Sequence, residues 1–299
     1  MEGPTFEEFK DCAITLAGLV GLQLPCLVSR VSPKSPLAQL QYLGFPFNMS
    51  AVTLNRHFSF SPENLNQGRY HTVVTNLFHH ADEQHLMSNL GVLLPDGYRI
   101  HRRFGRMHLL GLFLGGGVAG NLSQLCFYIF HQMRWDNFLP SPKSWGILGD
   151  YFGSKAEAIQ TMAMDKIYTS VYGNALCIGA SAAVCSIIAV ETCANVVSLY
   201  DKYMELRRRR RMGRANQEWD TRVMQQVIYE VCHLGLVVGI VINDLLPLLA
   251  SAESGKGIID SLMAYQTHGI GHAAHLGGFV FGVIYYIAML SGYRGLFFR

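Results

Sequence analysis

Two short segments of this chain contain the residue types needed for serine hydrolase chemistry. Ser181 lies in Gly-Ala-Ser-Ala at 179–182, and His275 lies in Ala-His-Leu-Gly-Gly at 274–278. A serine becomes a nucleophile when a neighbouring base takes its proton, and histidine commonly serves as that base. Each segment lies in an apolar run long enough to cross a bilayer. The pair therefore predicts peptide-bond cleavage inside a membrane, provided that the two helices pack side by side.

A third segment supplies hydrogen-bond donors for the same reaction. His85 and Asn89 are four residues apart, so on a helix they share one face. Attack of a serine on an amide creates an oxyanion, and each donor aimed at it contributes roughly 3–4 kcal/mol. The backbone N–H of Ser181 would be a third donor. The alternative is an interhelical hydrogen bond worth about 0.6 kcal/mol; the catalytic interpretation is preferred because Ser181 and His275 are also present.

The elements that position these residues are predicted from composition. Half of the 299 residues are apolar and 15% are charged, whereas soluble domains carry about 25% charged residues. We therefore predict one all-α membrane domain over 1–299, with its core at about 69–290. The second span is mixed at its start, so its helix is expected to begin near Gln84. The six predicted spans cover approximately 12–28, 71–97, 107–130, 173–197, 223–250 and 268–290.

Charge distribution predicts the orientation of the six spans. Of the 24 Lys and Arg residues, 15 fall on the side that holds both termini, which the positive-inside tendency places in the cytosol. The run Arg207–Arg211 is the strongest single indicator and is interpreted as a topological anchor. The outer loops, 29–70 and 131–172, are expected to carry short helices on the membrane surface.

Small residues predict where helices approach closely. Gly278 and Gly282 are four residues apart on one face of the last span, and Gly179 precedes Ser181 in a patch of small residues. Such patches let membrane helices pack tightly. The seven cysteines all fall within the predicted spans, so we interpret them as packing residues.

Taken in order, these motifs resemble those of the rhomboid intramembrane serine proteases. The resemblance covers about 69–286, and each motif is weak alone whereas the ordered set is strong. The residues that carry it are His80, His85-Leu86-x-x-Asn89, Gly179-x-Ser181 and Ala274-His275-x-x-Gly278-x-x-x-Gly282.

The resemblance implies a six-helix core with a Ser–His dyad. Ser181 would be the nucleophile and His275 its general base, with no third triad member. The resemblance also assigns the loop 29–70 to a surface element lying partly in the membrane and the span 223–250 to a mobile gate. It places His85 and Asn89 at the oxyanion hole, with His80 as a nearby support.

Two positions depart from the family pattern. Residue 182 is Ala where the family usually has Gly, and a methyl group there is expected to crowd the last helix or the oxyanion hole. Residue 101 is His, although Gly105 is present, where the family has a structural Glu. These departures leave open a catalytically inactive relative that binds membrane clients without cutting them.

A metal protein is the alternative from another functional class. His268 and His272 are four residues apart with His275 three further on, a spacing that suits zinc on one helical face. His79, His80 and His85 could add ligands, giving a zinc-dependent hydrolase or a metal transporter. Against this, no Asp or Glu adjoins the His268 cluster in sequence. Asn243 and Asp244 are assigned instead to the outer rim of a fifth span that ends before Pro247.

The expected partners are single-span transmembrane substrates and membrane lipid. We expect no cofactor, no metal and no nucleic acid. The expected location is a multi-pass position in the plasma membrane or an endomembrane.

Overall fold

The computed structural model describes residues 5–138, 177–213, 217–252 and 271–292. Secondary structure in these residues is helical, apart from one isolated antiparallel bridge between Phe60 and Cys177. The predicted all-helical class is therefore confirmed for the part of the chain that the structure describes.

Within the ranges given above, six long helices form the bundle. Their bounds are α1 (Phe6–Val28), α5 (Glu83–Phe104), α6 (Arg106–Phe138), α7 (Ser181–Arg211), α8 (Gln217–Ala252) and α9 (His272–Tyr285), the last continued by a π-helical turn over Tyr286–Leu290. Short elements join α1 to α5: 3₁₀ helices at Pro36–Leu43 and Asn76–Phe78, and the helices α2 (Ala51–His57), α3 (Pro62–Asn66) and α4 (Thr72–Thr75).

Among the described residues, five helical segments are long and apolar enough to cross a membrane: Phe6–Val28, Arg106–Phe127, Ser181–Arg211, Val223–Leu245 and His272–Leu290. The helix α5 is not among them, because its 22 residues include Asp96, Arg99 and Arg103. These five candidate spans identify a multi-pass integral membrane protein. The sixth span and the cytosolic position of both termini stay predictions.

Several predicted helix boundaries differ from the structure. A helix begins at its capping residue and can continue past the end of an apolar run, so local hydropathy alone does not locate its ends. The helix α5 begins at Glu83, next to the predicted Gln84, because Asp82 accepts a hydrogen bond from the backbone of His85. It runs to Phe104, so most of the predicted inner loop 98–106 is helical. Similarly, α6 extends into the predicted outer loop 131–172; the rest of that loop, from 139, lies outside the described residues.

The boundaries of α7 and α8 also correct the sequence prediction. Residues 177–180 are not helical, so Ser181 begins α7 instead of lying deep within a span that starts at 173. Consequently Cys177 lies outside the helices. The helix α7 also includes Arg207–Arg211, and α8 continues through Pro247 to Ala252 instead of ending before the proline.

Glycines of α6 form the surface on which α7 and α9 pack. A Cβ on Gly116 would collide with the Ser186 side chain of α7, and one on Gly120 would lie 2.6 Å from the Ala274 carbonyl oxygen of α9. Ser186 Oγ donates a hydrogen bond to the Leu112 carbonyl oxygen, 2.8 Å away. Close helix approach of this kind is the usual use of small residues in membrane bundles.

Charged residues are paired where α1, α5 and α7 meet. His101, where a Glu was expected from the family pattern, is buried, and its Nε2 lies 3.1 Å from Asp11 Oδ2 of α1. On α7, Glu191 is 2% exposed and accepts a 3.3 Å hydrogen bond from Arg103 Nη1. His101 thus makes an interhelical contact between α5 and α1.

Candidate active site

Ser181 is the first residue of α7, and Gly179 shapes the turn that leads into it. Gly179 has a φ of +105°, a conformation that favours glycine. A Cβ at this position would lie 2.6 Å from His85 Cε1 and 3.6 Å from His80 Cδ2. The missing side chain therefore lets the His85 ring lie against the backbone two residues before Ser181.

The start of α7 presents unpaired backbone donors beside Ser181. The first N–H groups of a helix have no intrahelical acceptor, and no side chain caps this helix. The amide N–H of Ala180 donates to His80 Nε2 at 3.4 Å. The N–H groups that follow lie at the positive end of the helix dipole, a position that suits a developing negative charge.

His80 is held as a neutral acceptor between two donors. Its Nε2 accepts from Asn89 Nδ2 at 2.9 Å as well as from the Ala180 backbone. Burial, followed by the charges of nearby His85 and His79, lowers the pKa of His80 to about 3. Asn89 is 6% exposed, and its amide has a second N–H that can donate elsewhere. His85 packs edge-on to His80, with ring centroids 5.0 Å apart.

His275 lies one turn into α9, on a helix whose backbone touches α7 directly. A Cβ on Gly278 would lie 2.8 Å from the Ala182 carbonyl carbon, and one on Gly282 would lie 2.9 Å from Ser186 Cα. Because 182 faces 278 and 186 faces 282, the two helices run parallel, with their N-terminal ends together. Ser181 and His275 thus approach from adjacent helices. Within the described residues no hydrogen bond joins their side chains.

Ala182, the departure from the family's glycine, has its methyl group directed at α6. A Cβ on Gly120 would collide with the Ala182 Cβ, whereas Gly278 faces the Ala182 backbone. The expected crowding of the last helix therefore does not arise from this methyl group. Gly120 supplies the space for it.

Asp244 is the residue whose contacts the sequence did not predict. It is 3% exposed, and its carboxylate contacts two histidines of α9. His272 Nδ1 lies 2.7 Å from Oδ1, and His275 Nδ1 lies 3.1 Å from Oδ1 and 3.0 Å from Oδ2. The fifth span was expected to end before Pro247, whereas α8 continues to Ala252; the outer-rim position of Asp244 stays a prediction. No acid adjoins these histidines in sequence, but the Asp244 carboxylate adjoins them in space. No third group was expected beside Ser181 and His275, yet the Asp244 carboxylate lies 3.0 Å from His275 Nδ1.

The metal alternative gains no ligand set from the described residues. No group of three or more His, Cys, Asp or Glu side chains is arranged there to hold an ion. His268 lies outside the described residues. His272 and His275 both direct Nδ1 at Asp244.

Comparison with known proteins finds similarity to rhomboid proteins over part of the chain. A family model described as Rhomboid domain matches residues 67–203, a stretch that includes His85 and Ser181 and ends before His275. RHOMBOID-like protein 12, mitochondrial, of Arabidopsis thaliana is 39% identical over 86 residues, which are 29% of this chain and 24% of that protein. Rhomboid-like protein 16, chloroplastic, of the same plant is 34% identical over 67 residues, 22% of this chain and 21% of that protein.

The matched stretches therefore span a quarter or less of the length of these curated relatives. No solved structure matches the chain. Over residues 67–203, this multi-pass membrane protein is thus similar to the proteins of the rhomboid family.

Proposed function

We propose that this protein is an intramembrane serine protease that uses Ser181 and His275 to cleave transmembrane-helix substrates. Members of its family are generally serine proteases. The observation that carries the proposal is the position of Ser181 at an uncapped helix N-terminus, beside the His85 ring and on a helix in backbone contact with α9.

The reaction begins with attack of Ser181 Oγ on the carbonyl carbon of the scissile peptide bond. His275 takes the hydroxyl proton through Nε2, because its Nδ1 faces Asp244. The C–N bond then breaks, and His275 gives the same proton to the leaving amine. Water hydrolyses the resulting ester with His275 again as base. Apo enzymes often hold the nucleophile and base further apart than the reacting complex does, so substrate binding would close the Ser181–His275 distance.

The oxyanion would form against the start of α7. The N–H groups at that end have no side-chain cap, and the His85 ring lies over Gly179. Asn89 contributes its second amide N–H while the first remains on His80. His80 thereby acts as a support that orients both Asn89 and the Ala180 backbone.

The substrate class follows from where the site lies. An intact helix has no exposed peptide carbonyl, so substrates would need small or helix-breaking residues near the membrane boundary. Single-span proteins fit this requirement, with cleavage near the outer or luminal boundary. The helix α8 would be the element past which they enter.

A serine-directed fluorophosphonate probe tests the proposal on purified full-length protein. Wild type should be labelled, and Ser181→Ala and His275→Ala should not. Ser88→Ala is the matched control, because it removes an exposed hydroxyl that bonds only the Gln84 carbonyl. Cleavage of a model single-span substrate in proteoliposomes should follow the same order and resist chelators.

Other outcomes of these experiments would favour one of the two alternative functions. Folded wild-type protein that is neither labelled nor active would favour an inactive rhomboid-like protein that binds membrane clients. Cleavage that survives Ser181→Ala would refute the serine mechanism, and loss of cleavage on chelation would favour the metal reading.

A further inference from the structure

We infer that Asp244 is a positioning residue that fixes the orientation of His275, and that His272 anchors Asp244 in turn. The inference rests on the proposed protease function and adds to it a carboxylate supplied by α8. The juxtaposition is a single buried carboxylate accepting from two imidazoles one turn apart on α9.

The hydrogen-bond pattern defines which nitrogen of His275 is available for chemistry. An ionised carboxylate can only accept, so a ring nitrogen 3.0 Å from it carries the proton. With hydrogen on Nδ1, the neutral ring presents the Nε2 lone pair to the serine. Fixing this tautomer is the role that an aspartate performs in serine hydrolase triads.

His272 supplies the second hydrogen bond that keeps Asp244 in place. It is 2% exposed, and its Nδ1 lies 2.7 Å from Oδ1, the shortest contact of the group. A carboxylate within a membrane helix is costly unless it is paired. The bond to His272 therefore holds Oδ1 and leaves Oδ2 facing the more exposed His275, whose side chain is 17% exposed.

The charge of Asp244 also acts during the reaction. When His275 accepts the serine proton it becomes an imidazolium, and the carboxylate beside it offsets the new positive charge. Among the described residues, the other titratable groups near this cluster are His272 on the same helix, His85 on α5 and Cys185 on α7. Asp244 is the acidic group among them.

Because Asp244 lies on α8 while both histidines lie on α9, the base is aligned only when these two helices are packed together. A displacement of α8 that admitted a substrate helix would also release His275. Substrate entry and alignment of the base would then be coupled through one side chain.

The test compares Asp244→Asn with Asn243→Ala in proteoliposomes, with kcat, KM and the pH profile measured for each. Asn243 is the next residue on α8 and is exposed, so its variant should behave as wild type. Asp244→Asn should lower kcat by roughly 10²–10⁴-fold with little change in KM. The acid limb of its pH profile should move to lower pH, because the imidazolium loses its counter-charge.

The pH profile separates positioning from simple structural support. A residue that only supports packing would lower the amount of active enzyme and leave the acid limb unmoved. A wild-type kcat in folded Asp244→Asn, or an unmoved limb, would overturn the inference. Should that variant fail to fold, His272→Gln gives the second measurement: a lower kcat at unchanged KM supports the anchor, and a wild-type kcat refutes it.

The proposed function fails independently of this inference. If Ser181→Ala retains cleavage, the protease mechanism is wrong whatever Asp244 does. If Ser181→Ala is inactive while Asp244→Asn keeps wild-type kinetics, the dyad stands and the role of Asp244 is refuted.

Discussion

Replacing Gly278 with Ala tests whether contact between α7 and α9 holds the site together. The added methyl group would lie 2.8 Å from the Ala182 carbonyl carbon, 3.1 Å from its Cα and closer still to its carbonyl oxygen. All three atoms are backbone, so no side chain can turn aside. Carbon atoms pack at about 3.5–4.0 Å, so the helices must separate by about 1 Å.

The cost follows from overpacking. Forcing a methyl group into a packed contact costs about 1–3 kcal/mol, and rigid backbone on the opposite side places Gly278→Ala at the upper end. At about 2–4 °C per kcal/mol for a chain of this size, thermal unfolding in detergent should shift down by roughly 5–10 °C. A displacement of about 1 Å at the site should also reduce fluorophosphonate labelling by roughly 10²-fold.

Gly18→Ala is the matched control. Gly18 is helical, and nothing lies within 4 Å of a Cβ built there, so alanine should leave stability unchanged or raise it by up to about 1 kcal/mol. If Gly278→Ala unfolds at the wild-type temperature and labels normally, the two helices are not in backbone contact and the placement of the site is wrong.

Three further predictions concern other contacts. Gly179→Ala should abolish labelling of a folded protein, because its Cβ would displace the His85 ring; normal labelling would contradict this geometry. Gly120→Ala should lower the unfolding temperature, because its methyl group would collide with that of Ala182. Adding Ala182→Gly to this variant should restore part of the loss. If the effects of the two substitutions are purely additive, the two methyl groups do not meet. Burial lowers the pKa of His79 to about 4, against a backbone hydrogen bond that raises it. The contribution of His79 to stability should therefore be complete above about pH 6.5 and fall by about 2 kcal/mol at pH 5. The loss of stability on acidification should be smaller by that amount in His79→Gln, and an equal loss in both proteins would assign it to other groups.

The sequence predicted the similarity to rhomboid proteins better than it predicted helix boundaries. The motifs around His85 and Ser181 fall within the matched residues 67–203, because residue type and spacing can be read directly from the linear chain. Hydropathy placed the start of the span near 173, yet the helix begins at Ser181. The reason is that small apolar residues such as Gly179 and Ala180 score like helix residues, whereas the φ of Gly179 is compatible only with a turn.

Asp244 shows what spacing cannot reveal. It lies 31 residues before His275, and nothing in that separation indicates contact. A usable signal was present, because an acidic residue in the middle of an apolar run is expensive unless it is paired. That argument requires a partner, and only the packing of α8 against α9 identifies His272 and His275 as the pair.

The length of α7 fixes the distance between Ser181 at its start and Arg207–Arg211 at its end. With 31 residues the helix is about 46 Å long, whereas the hydrocarbon layer is about 30 Å thick. Moving Arg207–Arg211 out of water costs free energy, so this end of the helix stays at the membrane surface. It therefore limits how far Ser181, at the other end of the helix, can move into the hydrocarbon layer.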